Sequence, residues 1–170
     1  DYKVKSKTND NYTISHKVDF SFSGNESVLF DNKKGARVYK GTSIEDANTW
    51  MGFAKNDFVV EVKIRDSEKV NFITLSMLEN LDMKAIFPKR IEIYGKSNDR
   101  WIPINQLEIA LQDHPDDRKS YFKEFTLAVN LEGYNEVKIV AVNHFKFPKA
   151  PVYDRKRKYS WIFIDEVIFW

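Results

Sequence analysis

The chain has no cysteine among its 170 residues. That excludes disulfides, thiolate zinc sites and cysteine nucleophiles, and leaves the redox compartment open. Net charge is also scarce. The 27 Lys and Arg stand against 25 Asp and Glu, a formal balance of +2 too small and too mixed for a nucleic-acid footprint, so no nucleic acid is expected as partner. No apolar run approaches the roughly 18 residues of a membrane span, and no basic start leads into an apolar signal segment. Gly-rich phosphate loops, Walker motifs and G-x-S-x-G elbows are missing. The three histidines, His16, His114 and His144, show no ligand spacing; His16 reads as a core histidine, and His114 beside Asp116 and Asp117 as a solvated loop.

What is present is apolar and aromatic: 42% and 15% of residues, the share of a globular protein. The length suits one domain, residues 1–170, with a two-layer core. Because it begins at Asp1, the chain is expected to be a fragment or a processed product.

Period-2 alternation recurs along it. Thr13–Phe22 and Phe58–Ile64 alternate cleanly, Val70–Leu78 is richer in apolar residues, and Arg90–Tyr94, Trp101–Ile104, Phe125–Val129 and Val137–Val142 follow. Turn signals separate them at Ser23-Gly24-Asn25, Asp31–Gly35, Asp66-Ser67-Glu68, Gly95–Arg100 and Gly133. Residues 36–56 read as a long structured loop, 105–112 as one or two helical turns, and Phe147–Lys158 as a basic, proline-bearing loop. Short strands between turn signals predict an all-β, antiparallel β-sandwich.

The last eleven residues, Ser160–Trp170, are unusual. One row of the strand is Trp161, Phe163, Asp165, Val167, Phe169; the other is Ile162, Ile164, Glu166, Ile168, Trp170. Both rows are apolar, as in a strand covered on both faces, and each carries one acid that needs a partner. Paired carboxylates invite a glycosidase reading. Neighbours on a strand point to opposite faces, however, so the two acids are not expected to flank one bond, and no catalytic residue is assigned. The alternatives are an ion pair inside the sandwich or a cation site, since Ca²⁺ gathers carboxylate and backbone carbonyl oxygens. Asp31 in its turn could contribute to such a site or simply form an Asx-turn.

Sugar binding needs a ring face for the C–H side of a pyranose and polar donors for its hydroxyls. By composition the candidates are Arg37, Tyr39, Trp50, Asn80, Tyr153 and Arg155. Each also has a plainer reading; Trp50 could plug one end of the sandwich.

Four segments occur in one order: Leu29-Phe30-Asp31-Asn32-Lys33-Lys34-Gly35, Trp50-Met51-Gly52-Phe53 with Asn56-Asp57, Phe87-Pro88 with Ile91, and Ser160-Trp161-Ile162-Phe163-Ile164-Asp165-Glu166-Val167. The set resembles the discoidin-type (coagulation factor 5/8 type C) domain at the C-terminal end of bacterial chitobiases and β-N-acetylhexosaminidases. The likeness spans residues 28–170, with 1–27 as leading strand or strands of the same domain. It implies a galactose-binding-domain-like jelly roll and a structural calcium held by Asp31 and Glu166. It also implies a non-catalytic, carbohydrate-binding accessory module of a secreted, periplasmic or cell-surface glycoside hydrolase. The expected partners are a glycan, amino-sugar or galactose-containing, and the parent catalytic domain in the same chain. Asn32 stands where such turns usually carry glycine, and Asn tolerates the left-handed backbone. A membrane is not the expected partner. The alternatives are a protein-adhesion or membrane-surface discoidin module, with Ile86-Phe87-Pro88 as an apolar tip between Lys84 and Lys89, or a purely structural domain packed on the catalytic one.

Overall fold

The structure, a computed structural model, describes residues 12–14, 26–35, 49–81, 83–111, 120–146 and 159–170. Its strands are β1 (Tyr12–Ile14), β2 (Met51–Ala54), β3 (Phe58–Ile64), β4 (Phe72–Glu79), β5 (Arg90–Ser97), β6 (Arg100–Glu108), β7 (Tyr121–Ala128), β8 (Glu136–Val142) and β9 (Trp161–Phe169). They form a five-stranded sheet, order β1-β3-β8-β5-β6, and a four-stranded sheet, order β2-β9-β4-β7. Every pairing between these strands is antiparallel. The architecture is the antiparallel β-sandwich that the alternation predicts. Among the described residues, no helix is long and apolar enough to cross a membrane.

The alternating rows explain the core. Phe58, Val60, Val62 and Ile64 of β3 face Ile73, Leu75 and Met77 of β4 across the sandwich, and all belong to one buried cluster. Removing such side chains from water supplies most of the driving force, at roughly 25 cal/mol per Å² of apolar surface. The β5–β6 hairpin closes on Asn98 and Asp99, with φ of 48° and 61°. These are the positive values that a two-residue loop needs at both central positions.

Two stretches differ from the sequence reading. Met51–Ala54 lies in the segment read as loop, yet it is a fully buried strand paired with β9. A four-residue run buried on both faces has no alternation to reveal it. Residues 105–108, read as helical, continue the edge strand β6. Here a bulge leaves Ile104 unpaired, because Ile93 pairs Asn105 and Tyr94 pairs Pro103. Ile104 and Leu107 then both pack against the core. That spacing of three mimics a helical period.

One buried amide ties three segments together. Asn143 is fully buried, and its Nδ2 donates to the carbonyls of Phe53, Asn56 and Ser160 at 3.2, 3.1 and 3.3 Å. Its Oδ1 accepts from the Phe145 N–H at 2.9 Å and the Ser160 hydroxyl at 2.7 Å. Asn143→Ala would strand several buried partners, so a loss of about 2–4 kcal/mol is expected in urea unfolding at unchanged m-value. A loss within 0.5 kcal/mol would contradict this role.

Candidate functional site

Core membership along β9 switches row in mid-strand. Ile162 and Ile164 face the core, and so do Val167 and Phe169. Between them Ser76 of β4 pairs Glu166 while Met77 pairs Ile164, which leaves Asp165 as the extra residue of a β-bulge. A bulge sets two residues against one and re-aims their side chains. Asp165 and Glu166 are therefore both turned out of the core, to the outer face of the four-stranded sheet. The expectation that period-2 geometry parts these two acids is overturned.

Both acids meet the turn that runs from Asp31 to Gly35. The Gly35 N–H donates to Asp165 Oδ2 at 2.6 Å, and the Asn32 N–H donates to Glu166 Oε1 at 3.2 Å. The Lys33 N–H donates to Asp31 Oδ1 at 2.8 Å, which closes an Asx-turn. Asn32 takes φ 58°, the left-handed conformation expected of it. Gly35 is required by contact: a Cβ there would lie 2.4 Å from Cε2 of Trp50. That indole is fully buried, in a second cluster with Leu78, Ala85 and Phe163 on the outer side of the sheet.

The acids sit at 1% and 3% exposure, and two of their oxygens, Asp165 Oδ1 and Glu166 Oε2, are buried with no hydrogen-bond partner among the described residues. Burial pushes the Glu166 carboxyl up to about 8 from its ordinary 4.5, against the Asn32 N–H, and the Asp31 and Asp165 charges add to the rise. Burial likewise raises Asp165, opposed by the Ser76 hydroxyl and the Gly35 N–H. The charge of Lys34, ion-paired with Glu124 of β7, opposes both shifts.

A hard cation would suit this chemistry in part. Glu166 offers a buried, unpartnered oxygen, and Asp31 is close enough to raise its pKa. Among the described residues, no group of three His, Cys, Asp or Glu is placed to hold a metal ion. Ca²⁺ takes about six to eight oxygens, so most of the ligands would have to be backbone carbonyls.

The six sugar-contact candidates fare differently. Arg37, Tyr39, Tyr153 and Arg155 lie outside the described residues, as do His16 and His114. Trp50 has no ring face open to a glycan, because its indole is fully buried against Gly35. Asn80 is 5% exposed. Its amide donates to Ser120 Oγ at 3.0 Å and accepts from the Met83 N–H at 3.2 Å, so it braces the chain between β4 and β5. The apolar tip proposed at Ile86-Phe87-Pro88 is buried as well. Phe87 is 4% exposed and packs edge-on against Phe125 at 5.1 Å, which removes the membrane-insertion reading. His144, half-buried, is held below its ordinary 6.5 by burial and by Lys89.

The class the fold defines is a two-sheet antiparallel β-sandwich. No protein-family model matches the chain, and no curated protein matches it either. It is similar in structure to the C-terminal domain of a chitobiase from Bacteroides fragilis, at 10% identity and TM-score 0.44 over 97% of this chain and 96% of that one. It is also similar to a structure of the CBM32-1, CBM32-2 and M60 catalytic domains from Clostridium perfringens, at 14% identity and TM-score 0.43 over 96% of this chain and 14% of that one. A family 29 carbohydrate-binding module from Piromyces equi matches at 10% identity and TM-score 0.39, over 93% and 88%. Likenesses of this strength carry no inference about ligand or parent enzyme.

Two outcomes test the site. Gly35→Ala would push a methyl group into the Trp50 indole, so a loss of about 1–3 kcal/mol is expected from chemical denaturation; an unchanged midpoint would mean the turn does not pack there. The raised Glu166 pKa means that the native state keeps a proton which the unfolded chain has released, between pH 4.5 and about 8. Stability should therefore fall as pH rises through that window, by a few kcal/mol in metal-free buffer, and Glu166→Gln should flatten the fall. A stability that rises over the same range would contradict the assignment.

Proposed function

We propose that this chain is a non-catalytic, carbohydrate-binding accessory module of a glycoside hydrolase resembling chitobiase. The observation that carries the reading is where the four motif segments meet. The Asp31–Gly35 turn hydrogen-bonds the Asp165-Glu166 bulge, and Trp50 packs on Gly35 while Met51–Ala54 pairs with β9. The Ile86 N–H donates to the Trp161 carbonyl at 3.0 Å, next to Phe87. A set of separated motifs that assembles one supporting substructure is what a shared domain type would require. The acids support a non-catalytic role, since each has one oxygen on a backbone N–H and neither is exposed to a solvent-borne substrate.

The glycan would be amino-sugar or galactose-containing, bound by Arg37, Tyr39, Tyr153 and Arg155 from the loop segments, in a secreted, periplasmic or cell-surface setting. Rings such as Tyr153 would stack on the pyranose, and the arginines would donate to its hydroxyls. Asp31 and Glu166 would supply the carboxylates of a structural calcium, whose charge would neutralise the buried acids.

Titrating the 170-residue chain on a glycan array tests the binding reading. Millimolar or tighter binding to at least one such glycan is expected, weakened about tenfold in Tyr153→Ala. No binding to any glycan at millimolar concentration would leave only the reading of a domain that packs on its catalytic neighbour. Calcium is tested separately. A hundredfold excess over Kd should add about 2.7 kcal/mol to unfolding of the wild type and nothing in Glu166→Gln, whereas identical curves with calcium and chelator would exclude the ion.

A further inference from the structure

The outer face of the four-stranded sheet holds a cavity of about 270 Å³ beside the turn, lined by Lys34, Gly35, Ser76, Phe122, Glu124 and Asp165, with Lys123. Its floor is polar and buried: Asp165 is 1% exposed and Ser76 5%. The Asp165 carboxyl is fixed in orientation, because the Gly35 N–H holds Oδ2 at 2.6 Å, and it leaves Oδ1 buried with no partner. One wall is the Phe122 ring, 39% exposed and backed by the Trp50 indole at 5.9 Å between centroids. At the rim the Lys34–Glu124 ion pair offers a donor and an acceptor.

These groups select by charge. An anion would meet Asp165 and Glu124, and a cation would meet Lys34 and Lys123, so a neutral polyol suits the cavity better than either. The volume lies near the ~300 Å³ lower end of small-molecule pockets, enough for one small ring. We propose that this cavity is a carbohydrate subsite that takes a single neutral pyranose. The sugar lays its C–H face against Phe122 and exchanges hydroxyl hydrogen bonds with Lys34 and Glu124 at the rim. Trp50 then contributes from beneath, as the ring that backs the platform. The inference rests on the carbohydrate-binding reading and gives it a position.

Amide ¹H–¹⁵N spectra of the 170-residue chain, titrated with N-acetylglucosamine and separately with galactose, test it without any variant. The Gly35 amide, which is bonded to the Asp165 carboxyl, should shift together with those of Ser76 and Phe122. Phe122→Ala should weaken that binding about three- to tenfold, and Ser76→Ala should weaken it in the same direction. Shifts confined to residues 36–48 and 147–158 would overturn the subsite and leave the carbohydrate-binding reading standing. Silence at Gly35 with both sugars would overturn it too, showing that the cavity holds only water. A blank glycan array alongside that silence would remove the broader reading as well.

Discussion

Two adjacent carboxylates are buried on the closing strand, and much of the outer face is arranged around that burden. A buried acid costs several kcal/mol unless donors or a cation meet it. The bulge at Asp165 answers by turning both side chains to one side, where a single turn presents two backbone N–H groups. A hydrogen bond contributes about 0.5–1.5 kcal/mol to a neutral group and about 1.5–3 kcal/mol to a charged one, which offsets part of the cost. What they leave uncompensated shows as the upward pull on both carboxyls. The turn in turn needs Asn32 with a positive φ, and a glycine at 35 under the Trp50 indole.

This arrangement gives the acids a structural meaning and a functional consequence. Adjacent carboxylates that had suggested sugar hydrolysis instead anchor a turn to the sheet. The same anchoring places Asp165 in the lining of a cavity that Phe122 also lines. Two of the six residues that a composition argument would choose for sugar contact, Trp50 and Asn80, are occupied inside the fold. The Trp50 ring, closed to a ligand itself, packs against the partly exposed Phe122 ring.

Much of the fold was legible from alternation. Phe58–Ile64 occupies the same bounds in sequence and structure, and β7 and β8 begin within a few residues of their expected places. The failures share a cause. At Ile104 and at Asp165 a bulge inserts one residue, so core positions fall three apart where a strand rule expects two. The first bulge gave β6 a helical look; the second made neighbouring acids appear to face apart. Neither bulge has a local sequence signal, since each is set by the partner strand. Asp31 and Glu166 were paired through the family resemblance; in the structure the Asp31 charge is near enough to raise the Glu166 carboxyl. The link from Asp165 to Gly35 had no such cue, because a contact across 130 residues is invisible to spacing.

Native-state hydrogen exchange at the Asn32 and Gly35 amides bears most directly on the central claim that the bulged acids hold the turn. If they do, both amides are protected far beyond the amides of exposed turn residues that lack a buried acceptor, with opening energies approaching that of the sheet itself. Exchange at unprotected rates at both positions would mean that the carboxylates do not anchor the turn, and the account of the site would fail.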